Sequence, residues 1–184
     1  MTITAPFPGY VAGTWDFDPV HSDVSFAVRH MMVSKVKGRF GVFGGTLTTA
    51  ENFEESSVTA TLDPASVDTR NEQRDAHIRS GDFFEVEKYP EWRFVSTGLS
   101  ASGDAYVLEG DLTIKGVTRL VSLNLEVGGF GPDVYGGTRA GFTARATIDR
   151  RDFGVDFSAP IEAGGFMVGD KVELVLEIEA VLRS

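Results

Sequence analysis

Along Lys171 to Val181, KVELVLEIEAV, apolar and polar residues alternate with a period of two. Side chains two apart on an extended strand share a face, so Val172, Leu174, Leu176, Ile178 and Ala180 take one side and Glu173, Glu177 and Glu179 the other. The same alternation predicts a strand from Asp23 to Met32, with Val24, Phe26, Val28 and His30 opposite Asp23, Ser25 and Arg29. Further strands are predicted at Trp15 to Phe17, Arg39 to Thr48, Val58 to Leu62, Trp92 to Ser96, Tyr106 to Ile114, Val117 to Val127 and Thr138 to Ile148. Between strands, Lys115-Gly116, Gly128-Gly129, Gly136-Gly137 and Gly164-Gly165 offer turn positions that tolerate positive φ. Strands with one apolar and one polar face, joined by hairpins, predict an all-β protein: a sandwich, or an antiparallel up-and-down barrel of about eight strands.

One segment breaks the alternation. In VDTRNEQRDAHIRSGDFF, Thr69 and Glu72 have capping-box spacing, Asn71 to Ser80 lacks Pro and Gly, and Gly81 can supply a left-handed C-terminal cap. This predicts a short helix around residues 70–80, set in a long connection where it can cover a barrel end. On a helix Asp75 and His77 point to nearly opposite sides and cannot form a general-base pair, whereas Asp75 and Arg79 face each other. Ile78 should turn its face to the core, flanked by Arg74 and Asp75. These two either satisfy backbone groups near the helix ends, or Arg74 and His77 face the polar end of a ligand.

The chain has 184 residues, enough for one domain with a sizeable core, and 42% of them are hydrophobic. Its formal charge is −10, from 17 Lys and Arg against 27 Asp and Glu. No basic run could track phosphates, so nucleic acid and anionic membrane surfaces are poor partners on this count. Zero cysteines exclude disulfides and thiolate chemistry. The opening MTITAPFPGYVAGTW has neither a basic n-region nor a continuous apolar h-region, and no later run is long enough to span a bilayer, so a cytoplasmic location is expected.

A barrel of this size is either filled by its own side chains or holds one small ligand. The inward set Ala140, Phe142, Ala144, Ala146 and Ile148 contains three small residues, and Gly110 lies between Leu108 and Leu112. Such residues leave room for an elongated apolar cavity, or accommodate Trp15, Trp92 and the many Phe from other strands. His30 closes an otherwise apolar face, as a satisfied core residue or as a hydrogen-bond partner for a ligand carbonyl or hydroxyl. Arg119 shares the face of Val117, Val121, Leu123 and Leu125 and is expected at a rim. His21, Ser22 and Asp23 are adjacent and diverge on an extended chain, so they make no triad. His21, His30 and His77 lack metal-ligand spacing, and no glycine-rich phosphate loop is present, so no metal and no cofactor is implied.

The runs WDFDPVHSDVSFAVRHMMVSKVKGRFGVFGGTL, SVDTRNEQRDAHIRSGDFFEVEKYPEWRFVS, LEGDLTIKGVTRLVSLNLEV, RRDFG and VGDKVELVLEIEA, in this order, resemble the YceI-like family. That resemblance implies a lipocalin-like barrel over residues 14–184, preceded by an extension over 1–13, and a long apolar tunnel for a polyisoprenoid or similar amphiphile without catalysis. The expected partner is a long-chain isoprenoid or quinone-like lipid, and an exposed edge or apolar mouth would favour a homodimer. Candidate ligand contacts are Phe26, Val28 and His30; Leu108, Leu112 and Leu123; Phe142 and Ala144; Trp92 and Phe94; and Arg74, His77 and Phe83 around the helical segment. The competing expectation is an enzyme acting on a small lipid-like or aromatic substrate in the same cavity with His30 or His77 as acid or base.

Overall fold

The computed structural model describes residues 6–31, 33–158 and 168–184. Its strands are β1 (Gly13–Phe17), β2 (Asp23–His30), β3 (Ser34–Phe40), β4 (Phe43–Thr49), β5 (Ser57–Leu62), β6 (Val67–Asp68), β7 (Trp92–Ser102), β8 (Ala105–Ile114), β9 (Val117–Pro132), β10 (Thr138–Asp149) and β11 (Val168–Leu182). One helix, α1 (Glu72–Arg79), lies between β6 and β7.

Three pairs of these segments are collinear. β1 and β2 both pair with β11, at Trp15↔Leu182 and at Phe26↔Leu174. β4 pairs with β1 while β3 pairs with β2, and β5 pairs with β4 while β6 pairs with β3. Counted as continuous staves, the segments make an antiparallel up-and-down barrel of eight, closed where β1 and β2 meet β11. The barrel outcome over the sandwich follows from this closure, which leaves no sheet edge along the seam.

The alternation reads true on β11. Val172, Leu174, Leu176 and Ile178 line the interior, while Glu173 and Glu177 reach Lys35 and Thr143 on the outer face. Gly128-Gly129 is not a turn: β9 runs through it, and the register with β10 passes from Val127↔Phe142 to Gly129↔Gly141. Gly128 is the extra residue of a bulge and Gly129 takes φ +147°, so the glycine pair bends a strand instead of ending it. The stretch Arg39 to Thr48 is two strands, β3 and β4, joined at Gly41-Val42, with β3 starting at Ser34. Lys115 and Gly116, both with positive φ, make the expected hairpin turn, and Gly136 (φ +87°) lies in the β9–β10 turn. Met32 and Gly164-Gly165 lie outside the described residues.

The two barrel ends differ. At one, Trp15 is fully buried against Phe130 (5.6 Å between ring centroids) and donates Nε1–H to Thr49 Oγ1 (2.9 Å). Phe7 and Tyr10, from the segment before β1, pack with Phe53 and Phe130 to make an aromatic floor. The tight approach there requires a glycine: Gly9 has φ +78°, and a methyl group on it would sit 2.6 Å from the Phe130 carbonyl oxygen. On the outer face near the floor, Arg139 donates to Asp18 (2.7 Å), Glu179 (2.9 Å) and Asp133 (3.0 Å). The other end carries the β2–β3 hairpin, the 69–91 connection with α1 and the β8–β9 turn. No helix of the described residues is long and apolar enough to cross a membrane.

Candidate functional site

The helix starts differently from its expected start. Asn71 is the N-cap, its Oδ1 accepting from Arg74 N–H (2.9 Å), and α1 begins at Glu72. Thr69 is buried outside the helix, where its N–H (3.0 Å) and Oγ1–H (2.6 Å) donate to Asp75. Arg74 in turn donates from Nε to Thr69 Oγ1 and from Nη2 to Thr69 O, both at 2.7 Å. The expected Asp75–Arg79 pair does not form: Asp75 is committed to Thr69, and Arg79 reaches the carbonyls of Ala65 (2.8 Å) and Val67 (3.1 Å). Gly81 is no left-handed cap; Ser80 caps the helix with extended backbone, and the N–H groups of Phe84 and Val86 take the carbonyls of Ile78 and Arg79. Asp75 and His77 are apart, as the helical spacing requires, and His77 Nε2 instead meets Asp82 Oδ2 at 2.8 Å with both side chains half exposed.

Under this pinned cap runs a cavity of about 370 Å³. It extends from Ser57, Leu99 and Phe142 near the floor to Arg29, His30, Arg74 and His77 at the other end. Arg29 and His77 are exposed, which marks that end as the mouth. The predicted contacts all lie on its lining: Phe26, Val28 and His30 on β2, Leu108 and Leu112 on β8, and Leu123 on β9. Phe142 and Ala144 on β10, Trp92 and Phe94 on β7, and Arg74, His77 and Phe83 around α1 complete the set. The interior is therefore not filled by its own aromatic rings, yet those rings do use the gaps left by glycine. A methyl group at Gly110 would collide with Phe94, and one at Gly38 with Phe26.

Polar atoms near the mouth are mostly committed to the protein. Arg150, 5% exposed, also lines the cavity and donates to the carbonyls of Gly169 (2.8 Å), Val155 (2.7 Å) and Val168 (3.4 Å). Burial pushes its guanidinium pKa down, and Asp170 at 3.6 Å opposes this. Such an arginine stays charged and acts as a pin. It escaped the sequence reading because RRDFG offers two adjacent arginines. The available signal was Asp149, which accepts from Arg151 N–H (3.0 Å) to start the turn that turns Arg150 inward. By contrast, the His30 ring and the Trp92 indole N–H have no hydrogen-bond partner among the described residues. Trp92 stands edge-on to Phe84 and Phe40 (4.6 and 5.1 Å). Arg119 is exposed opposite Leu112, a rim position.

His21 makes no triad. Its Nδ1 lies 2.7 Å from Asp18 and 3.4 Å from Glu179, and Ser22 Oγ donates to a backbone carbonyl. Asp18, His21 and Glu179 bring three donor atoms within 4.8 Å. The Arg139 guanidinium already sits among them, so a fixed cation fills the place a metal would need.

Fold and site together define a closed up-and-down barrel built around one apolar internal cavity. A family model described as YceI-like domain matches residues 15–180, and the chain belongs to this family. It is 40% identical over 167 residues to a UPF0312 protein of Photorhabdus laumondii subsp. laumondii, covering 90% of this chain and 84% of that one. A UPF0312 protein of Staphylococcus epidermidis is 38% identical over 167 residues, with 90% and 95% covered. The Campylobacter jejuni YceI protein matches in structure with TM-score 0.73 and 29% identity over 85% of this chain and 90% of that one. A Saccharophagus degradans structure described as a polyisoprenoid binding domain shares the fold, with TM-score 0.70 and 17% identity over 94% of this chain and all of that one.

Proposed function

We propose that this chain is a non-enzymatic carrier of a long-chain isoprenoid or a similar amphiphile. The observation that carries this reading is the apolar cavity beneath α1, with Arg29, His30, Arg74 and His77 at its mouth. The described function of the Saccharophagus neighbour agrees with it at the level of fold. Burying the tail contributes about 25 cal/mol per Å² of apolar surface, which makes the tail the main source of affinity. His30, at the mouth and uncommitted, contacts the head group and selects it; Arg74 is held by Thr69 and positions the cap.

Native mass spectrometry beside an organic extract of protein purified from its own host tests this. A stoichiometric isoprenoid or quinone-like mass is the expected result. A bare protein that takes up no added prenyl lipid would overturn it. His30→Phe should change which head group is bound without abolishing uptake, and complete loss in a folded variant would contradict the division of labour.

The enzyme reading has one observation in its favour, the His77–Asp82 pair at the mouth, which gives a histidine the orienting carboxylate that acid–base work needs. An extracted ligand that is chemically altered on the protein, with the alteration lost in His77→Gln, would favour it over carriage.

A further inference from the structure

The whole-chain charge of −10 argues against an anionic surface, but the charge is unevenly placed. From Val24 to Ala50 there is no Asp or Glu, while Arg29, Lys35, Lys37 and Arg39 fall within the same stretch. Folding places these four cations on the β2–β3 hairpin beside the mouth. Arg39 is paired with Asp23 (2.6 Å) and Lys35 with Glu173 (3.0 Å), whereas the side chains of Arg29 and Lys37 have no acidic partner among the described residues. The hairpin tip is apolar as well as cationic: Val33 is 81% exposed and Met31 40% exposed. Met31 also holds φ +53°, a conformation that Gly or Asn adopts at lower cost, so an apolar side chain is kept at the tip against backbone preference. The opposite barrel end carries Glu51, Glu54, Glu55, Asp104 and Asp133 on its connections, and its Arg139 is neutralised by three carboxylates. Charge is thus uneven along the barrel axis: the hairpin tip beside the mouth is cationic and apolar, the rest of the mouth mixes cations with the carboxylates of Glu72, Asp82, Glu85, Glu87 and Glu91, and the far end is acidic.

We infer that the β2–β3 hairpin docks the mouth of the barrel onto an anionic lipid bilayer, Val33 and Met31 entering the headgroup layer while Arg29 and Lys37 face lipid phosphates. Charge complementarity chooses this occupant: the cationic, apolar tip meets the anionic surface while the acidic far end is turned away from it, so contact through the hairpin is the favoured orientation. Apolar side chains flanked by cations are the combination that interfacial segments use to hold to such a surface.

Partition of the full chain onto phosphatidylcholine vesicles, with and without a phosphatidylglycerol fraction, tests the inference by co-sedimentation. Binding should require the anionic lipid and weaken as salt is raised. Lys37→Glu should lower the partition coefficient about tenfold, and Val33→Asp should also lower it. Neither residue lines the cavity, so both variants should keep wild-type melting and prenyl-lipid uptake. Equal binding to neutral vesicles, no binding to either kind, or wild-type binding by both variants would overturn the inference. The measurement needs no cargo, so carriage without docking sinks only this inference, and docking by a protein that takes up no added prenyl lipid sinks only the carrier reading.

Discussion

The two ends of the barrel close by different physics. The floor is closed by aromatic surface: Trp15 buried against Phe130, with Phe7, Tyr10 and Phe53 packed around it, mostly edge to face. The mouth is covered by a helix whose only large apolar anchor is Ile78, and which is tied down by Asp75, Arg74 and Arg79 to the 65–69 connection. Apolar packing is strong and non-directional, so it suits an end that stays shut. A few directional bonds hold a cap in one place yet can be released one at a time, which suits an end that opens locally.

The sharpest way to break this contrast is Trp15→Ala, which should cost about 3–5 kcal/mol of global stability in urea titration. A much smaller loss would mean that the floor does not anchor the barrel. Asp75→Ala should cost about 2–3 kcal/mol because it strands the buried N–H and Oγ1–H of Thr69. Hydrogen exchange should show that loss concentrated in α1, with the floor amides still protected; loosening of both ends would merge what the comparison separates. Asn71→Ala should cost about 1 kcal/mol through the N-cap alone. The smallest effect concerns acid. The bonds from His21 and then Arg139 hold the Asp18 carboxyl well below the usual carboxylate range, and the backbone N–H of Gly137 lowers Asp133. Their folded pKa values lie below the unfolded ones, so the folded state binds fewer protons. The stability they contribute is present above about pH 4 and is lost as pH falls from there through the folded values. Arg139→Gln should flatten this acid limb while leaving the neutral-pH behaviour of α1 unchanged.

Most of the barrel was legible because its strands bury one face against a single interior, and alternation reports that directly. The inward residues of β2, β8, β10 and β11 follow from spacing alone. The errors fall where two local solutions use the same residues. Thr69 and Asn71 are both good caps, and only the tertiary bond from Thr69 to Asp75 decides between them. A Gly-Gly pair serves a turn or a bulge, and the register of β9 against β10 makes it a bulge. Small inward residues suggested space, but Phe94 occupies the gap at Gly110, so the presence of a cavity rests on the closed shape of the whole barrel. Overall charge says nothing of placement, since it averages a cationic hairpin with an acidic floor.

The seam of the barrel has a consequence for how the protein is made. β11 is hydrogen-bonded to β10 on one side and to β1 and β2 on the other, so it is the stave that closes the ring. A ribosome that has not yet released residues 168–182 holds a chain with two raw sheet edges and an interior open to water along its length. Such a nascent chain is exposed to edge-to-edge association and has no enclosed space to fill. The interior can therefore be enclosed only after translation of β11, and chains cut short before Val168 should be found with chaperones or in aggregates.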